Sequence, residues 1–154
     1  MKAKKITLFV ILISISVVSS SFRSFFCKKQ QGIQGIVTQV SGNQMPSPDI
    51  KRSAPAPFPT KVFIYERTLL SQTKEAGKPT FYSSVITKLI KTIATDSAGR
   101  FKVTSPPGEY SLFVEKNGLL YANSFNEHGA INTVVVIKKK WSELNIRVND
   151  GAVY

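Results

Sequence analysis

The clearest group of residues suited to chemistry in this chain is Lys138-Lys139-Lys140-Trp141. Three adjacent ammonium groups beside an indole suit contact with lipid phosphate or an acidic glycan, with the indole stacking on a sugar or sitting at a membrane interface. The same run also reads as a solubilising turn, because lysines discourage edge-to-edge strand pairing. His128 is the chain's only histidine. A hydrolytic triad needs a base oriented beside a nucleophile, whereas His128 stands in a Glu127-His128-Gly129 loop next to Asn126 and reads as an exposed loop histidine. Zinc needs three or four convergent ligands, and His128, Glu127 and Cys27 recur at no ligand spacing. The carboxylates are scattered singly, which gives a paired-carboxylate glycosidase site no support. Asp96-Ser97-Ala98-Gly99 superficially suggests a calcium loop, but the oxygen ligands needed further on are missing. No glycine-rich phosphate cradle is present. The expectation is a chain with no catalytic residue, no metal site and no cofactor.

Cys27 is the only cysteine, so no intramolecular disulfide forms and the fold depends on apolar burial. It lies just beyond a leader-like segment. Residues 1–21 open with Lys2, Lys4 and Lys5, continue through an apolar run too short to span a bilayer comfortably, and close on Ser19-Ser20-Ser21. This is the pattern of a secretory signal helix. The competing reading is an uncleaved anchor running on through Phe22, Phe25 and Phe26, which Arg23 interrupts with a charge that is costly in hydrocarbon. Lipid attachment at Cys27 is a third option, resembling bacterial lipoprotein maturation. That processing expects a small residue just before the cysteine, and Phe26 stands there. A free thiol in a lead-in and an intermolecular bridge are the alternatives for Cys27.

The formal net charge is +12 over 154 residues, three of the lysines falling in the leader. Such an excess favours an anionic membrane surface, an acidic glycan or nucleic acid, although a basic solvated surface also serves solubility. Nucleic acid is set aside: basic and aromatic residues alternate as strand faces do in Lys61-Val62-Phe63-Ile64-Tyr65, and an export signal removes the chain from it. The expected location is outside the cytoplasm, in the periplasm, in the cell envelope or secreted, and the partner is an envelope protein, an acidic glycan or an anionic surface. With 42% hydrophobic and 19% charged residues, the chain is far from a disordered composition and has room for one domain.

The elements that would position these residues follow period-two alternation. After a linker at 22–31, residues 30–40 read as a first strand, with Ile33, Gly35, Val37 and Gln39 opposite Ile36, Thr38 and Val40. Residues 41–60 carry Pro46, Pro48, Pro55, Pro57 and Pro59, predicting a stiff crossover without regular structure, or a docking motif for an aromatic-lined groove. Residues 61–67 form a strand apolar on both faces, which implies a central position or a covered outer face. A polar exposed loop at 68–80 follows. Residues 81–90 fit helical spacing at Phe81, Val85 and Leu89, while dense Val, Ile and Thr favour a strand over about 86–95. Asp96 and Gly99 make a tight turn. Phe101 and Val103 then alternate with Lys102 and Thr104, Pro106-Pro107-Gly108 breaks the run, and Tyr110, Leu112 and Val114 resume it, predicting a hairpin with one apolar face. Asn117-Gly118 is a further turn, before a short strand at 119–123 and a loop at 126–129. Residues 133–137 read as a fully buried strand, Lys138–Lys140 as a charged turn, and 144–148 as the last strand. Residues 150–154 are expected to fray, with docking of Val153 and Tyr154 as the alternative.

Two segments together carry a family likeness. Thr95-Asp96-x-x-Gly99-x-Phe101 followed by Pro106-Pro107-Gly108-x-Tyr110-x-Leu112-x-Val114 resembles the signature of carboxypeptidase regulatory-like domains. Gly35-Ile36-Val37 matches the strand that opens such domains, and Thr133 to Ile137 a later apolar strand. The resemblance implies an all-β fold, a seven-stranded Greek-key-like β-sandwich of the transthyretin (prealbumin-like) type over residues 32–149, and an exported location. It implies no activity, since such sandwiches host many roles. Urate-pathway hydrolases of this fold end in Tyr-Arg-Gly-Ser; this chain ends Asp150-Gly151-Ala152-Val153-Tyr154, so that activity does not carry over. The expectation is a non-catalytic structural or binding module of the cell envelope, followed by a carbohydrate- or anionic-surface-binding sandwich and last by a small hydrolase.

Overall fold

The computed structural model describes residues 30–45 and 54–153. The signal segment 1–21, Cys27 with most of the linker, Pro46, Pro48 and Tyr154 lie outside the described residues. The chain is all-β in this region, with twelve strand segments where seven were expected. They are β1 (Gly32–Asn43), β2 (Ala56–Pro57), β3 (Lys61–Glu66), β4 (Thr73–Glu75), β5 (Phe81–Val85), β6 (Leu89–Ala94), β7 (Arg100–Thr104), β8 (Gly108–Lys116), β9 (Leu119–Tyr121), β10 (Thr133–Val136), β11 (Trp141–Glu143) and β12 (Ile146–Val153). Among the described residues, no helix is long and apolar enough to cross a membrane.

The strands form two sheets. In the first, β1 is the hub. Gly32, Ile33 and Gln34 pair with parallel β11 on one edge and antiparallel β7 on the other, and further along β1 pairs with β2 and with parallel β12. The second runs β4-β5-β9-β8-β3-β6, with β10 alongside β8. Ile33, Val37, Phe101, Val103, Ile146 and Val148 from the first sheet meet Val62, Ile64, Leu112, Val114, Tyr121 and Val134 from the second in one core. The packing of two apolar faces makes this a β-sandwich.

Several expectations are corrected here. The segments on either side of Pro106-Pro107 do not form a hairpin: β7 belongs to the first sheet and β8 to the second. The prolines have no N–H with which to close a ladder, so the chain arches across the core. The Tyr110 hydroxyl donates to the Pro106 carbonyl at 3.0 Å and fixes that arch. Residues 41–60 are not wholly irregular: β1 runs to Asn43, and Ala56–Pro57 pairs with Thr38 and Gln39. The 68–80 loop contains a 3-10 turn (Leu70–Gln72) and β4. Residues 81–85 are a strand and not a helix, because Phe81 and Tyr82 enter two different clusters from adjacent positions. β10 is half-buried. Among the described residues it pairs with β8, and its side chains alternate: Val134 and Val136 turn inward while Val135 and Ile137 are 57% and 54% exposed. Residues 150–153 of the tail are not frayed but paired, since β12 continues to Val153 with Gly151, Ala152 and Val153 against Ser41, Gly42 and Asn43.

Other expectations hold. β3 is central and its outer face is covered: Phe63 and Tyr65 pack on a second small cluster of Tyr82, Phe113, Ala122 and Ile131. Tyr65 and Tyr82 both meet Phe113 edge-on, with ring centroids 5.5 and 5.7 Å apart. Asn117 and Gly118 have φ of 52° and 75° and join β8 to β9 in a two-residue turn whose twist matches the strands.

Candidate functional site

The outer face of the first sheet gathers the polar residues that the core excludes. Along β7, Phe101 and Val103 turn inward, so Arg100 and Lys102 turn outward. Lys102 pairs across the strands with Gln34 on β1, which in turn pairs with Glu143 on β11. Two residues along, on the same face, Thr104, Gly32 and Trp141 form the next row. Gly32 has no side chain, and a Cβ there would lie 2.9 Å from the Trp141 ring and 2.0 Å from the Val103 carbonyl oxygen. The indole therefore leans over β1 toward β7, where the Lys102 ammonium sits 4.3 Å from the ring centroid.

Beside this pair lies an open groove of about 400 Å³. Its polar lining is Gln34, Asn145, Asp96, Glu143, Arg100 and Lys102. Asn145 Oδ1 accepts from the Ile36 N–H at 3.0 Å, and Asn145 Nδ2 donates to Glu143 Oε1 at 2.8 Å, which orients both side chains. Asp96 Oδ1 accepts from the backbone N–H groups of Ala98 and Arg100 at 2.9 and 2.8 Å, so this carboxylate builds the turn before β7 and places Arg100 at the groove. Among the described residues, neither Arg100 nor Lys102 has a carboxylate within ion-pair distance.

Of the candidate contact residues, Lys138, Lys139 and Lys140 lie on the exposed connection between β10 and β11. The Lys139 N–H donates to Gln31 Oε1 at 2.9 Å and the Lys140 carbonyl accepts from the Gly32 N–H at 3.3 Å, tying this turn to the start of β1. The cation that meets the Trp141 ring is Lys102 and not a member of the triple-lysine run. Cys27, the candidate lipid-attachment residue, lies outside the described residues. His128 is exposed, and its imidazole faces the neighbouring Glu127 carboxylate at 3.5 Å. Its loop is held by Asn126, whose Oδ1 accepts from the N–H groups of His128 and Ala130. This is the same turn construction as at Asp96. No cluster of three or more His, Cys, Asp or Glu side chains suited to a metal ion occurs among the described residues.

Arg100, Lys102, Gln34, Glu143 and Asn145 were not picked out from the sequence. The alternation of Arg100-Phe101-Lys102-Val103 marks the two cations as outward-facing. Which strand lies beside them is set by long-range pairing that no local pattern reveals.

A second polar feature joins the two sheets at the other end of β12. The Lys116 ammonium on β8 meets the Asp150 carboxylate on β12, and the Lys78 ammonium approaches the same carboxylate at 3.6 Å. Burial alone would raise the Asp150 carboxyl, but hydrogen bonding and charge attraction from Lys116, reinforced by Lys78, hold it below its ordinary value. Phe58 lies 5.4 Å beneath the Lys116 ammonium. The Tyr121 hydroxyl extends the seam to Asn149 at 2.6 Å.

No family model, no curated protein and no solved structure matches this chain.

Proposed function

We propose that the chain is a non-catalytic module exported to the cell envelope, of the transthyretin-like sandwich type, and that it works by binding. The observation that carries this reading is the outer-sheet groove, where Arg100 and Lys102, neither with a carboxylate within ion-pair distance among the described residues, stand beside oriented amides and carboxylates, with the Trp141 ring against Lys102. Its carboxylates are already engaged, Asp96 by backbone N–H groups and Glu143 by Asn145, which suits recognition better than proton transfer. The export part draws on residues 1–21, with their basic start, apolar run and serine-rich close. The sandwich type draws support from the Asp96 turn and the Pro106-Pro107 arch, the two features that carry the family likeness.

N-terminal mass analysis of the protein recovered from fractionated native cells tests export. A mature start at about residue 22, with the protein in the envelope or medium, is the expected result. A cytoplasmic protein that retains its first residues overturns the reading. So does turnover of any substrate that His128→Ala abolishes.

A further inference from the structure

We propose, on the strength of the binding reading above, that the groove along β1, β7 and β11 binds an acidic saccharide, a pyranose chain bearing carboxylate groups. Its anion-recognising residues are Arg100 and Lys102. Both project from one face of β7, about 7 Å apart along the strand. Both lack a carboxylate partner among the described residues. Lys102 is held by the Trp141 ring, which positions the ammonium without neutralising it. An incoming carboxylate therefore meets a placed cation that surrenders no ion pair, and the Arg100 guanidinium is able to donate two parallel hydrogen bonds to such a group.

The rest of the lining suits hydroxyl groups. Gln34 and Asn145 offer amide donors, and Asp96 and Glu143 offer acceptors beyond the bonds they already make. Ile36 and Phe101 add apolar lining, and Trp141 stands just outside the groove, where it holds the Lys102 ammonium. The groove volume of about 400 Å³ falls within the range of about 300–1,000 Å³ usual for small-ligand clefts. The two carboxylates also argue against a planar anionic membrane. A continuous layer of phosphates would meet repulsion from Asp96 and Glu143, whereas a chain that alternates hydroxyls with single carboxylates presents each group to an opposite partner.

The test uses the full chain, titrated with tetragalacturonate and followed by calorimetry and by fluorescence. Trp141 is the only tryptophan, so emission reports this site alone. The expected result is saturable binding with a change in emission, weakened about tenfold or more by Arg100→Gln and by Lys102→Gln. Lys138→Gln combined with Lys140→Gln is expected to stay within about twofold, because these lysines lie on the turn beyond the groove. All variants should keep the parent melting temperature, since the substituted side chains are exposed. Equal loss in the turn variant, or equal binding of the fully methyl-esterified tetrasaccharide, overturns the proposal. Tighter binding to phosphatidylglycerol vesicles, with the same sensitivity to Arg100→Gln and Lys102→Gln, also overturns it and assigns the groove to a membrane surface. The titration is independent of where the cell sends the protein, so its failure and a failure of export are told apart.

Discussion

Gly99 shows how a single missing side chain sets the position of a strand. Its φ is +73°, and a Cβ added there would lie 2.3 Å from the Val37 carbonyl oxygen. Val37 uses its outward edge fully at this point, donating its N–H to the Gly99 carbonyl at 2.8 Å and accepting from the Phe58 N–H at 3.0 Å. The turn that places Arg100 at the groove is thus wedged against β1 with no room for a methyl group. Gly99→Ala is expected to lower unfolding stability by about 2 kcal/mol or more, combining left-handed strain with the steric conflict. Gly77 has a similar φ of +77° but open space around it, so Gly77→Ala should cost only about 1 kcal/mol. Urea denaturation of the two variants checks this, and equal losses would rule out the steric part.

At the scale of elements, the seam between β8 and β12 governs how the sheets stay registered. The Lys116 and Asp150 side chains are only 10% and 11% exposed, so neither tolerates loss of its partner well. Lys116→Met, which leaves Asp150 with only the more distant Lys78, should lower stability by about 2 kcal/mol at neutral pH. The pH dependence follows from the depressed carboxyl of Asp150. A carboxyl that is more acidic folded than unfolded contributes stability above the unfolded value of about 4, and this is lost as pH falls through the folded value. The melting temperature of the parent should therefore fall more steeply than that of Asp150→Asn as the solution is acidified below about pH 5. Parallel acid limbs in the two proteins would show that the pair contributes nothing.

At the scale of the whole molecule, the first and last described strands close the first sheet together. β12 pairs in parallel with β1, and after a register shift Gly151, Ala152 and Val153 continue the ladder against Ser41, Gly42 and Asn43. Gln44 adds a further bond to the Val153 carbonyl at 2.7 Å. Deleting residues 150–154 removes this ladder and the partner of Lys116 at once. The shortened chain should unfold several degrees lower, a loss of about 2 kcal/mol or more, as read by calorimetry. An unchanged melting temperature would restore the reading of a frayed tail.

What the sequence determined by itself was everything that depends on near neighbours. Period-two alternation fixes which faces of β1, β3, β7 and β8 are apolar, and Asp96, Gly99 and Asn117-Gly118 select their turns through their own backbone chemistry. Only the tertiary structure decided which strands became neighbours. The Pro106-Pro107 arch and the tail illustrate the limit: an interrupted alternation fits a hairpin or a crossing between sheets equally well, and a short polar end pairs only if β1 lies beside it. The groove belongs to the same category. Lys102 and Trp141 are thirty-nine positions apart and meet because Gly32 lies between them, and a pairing across that distance is set by the burial of a common core, not by any local preference.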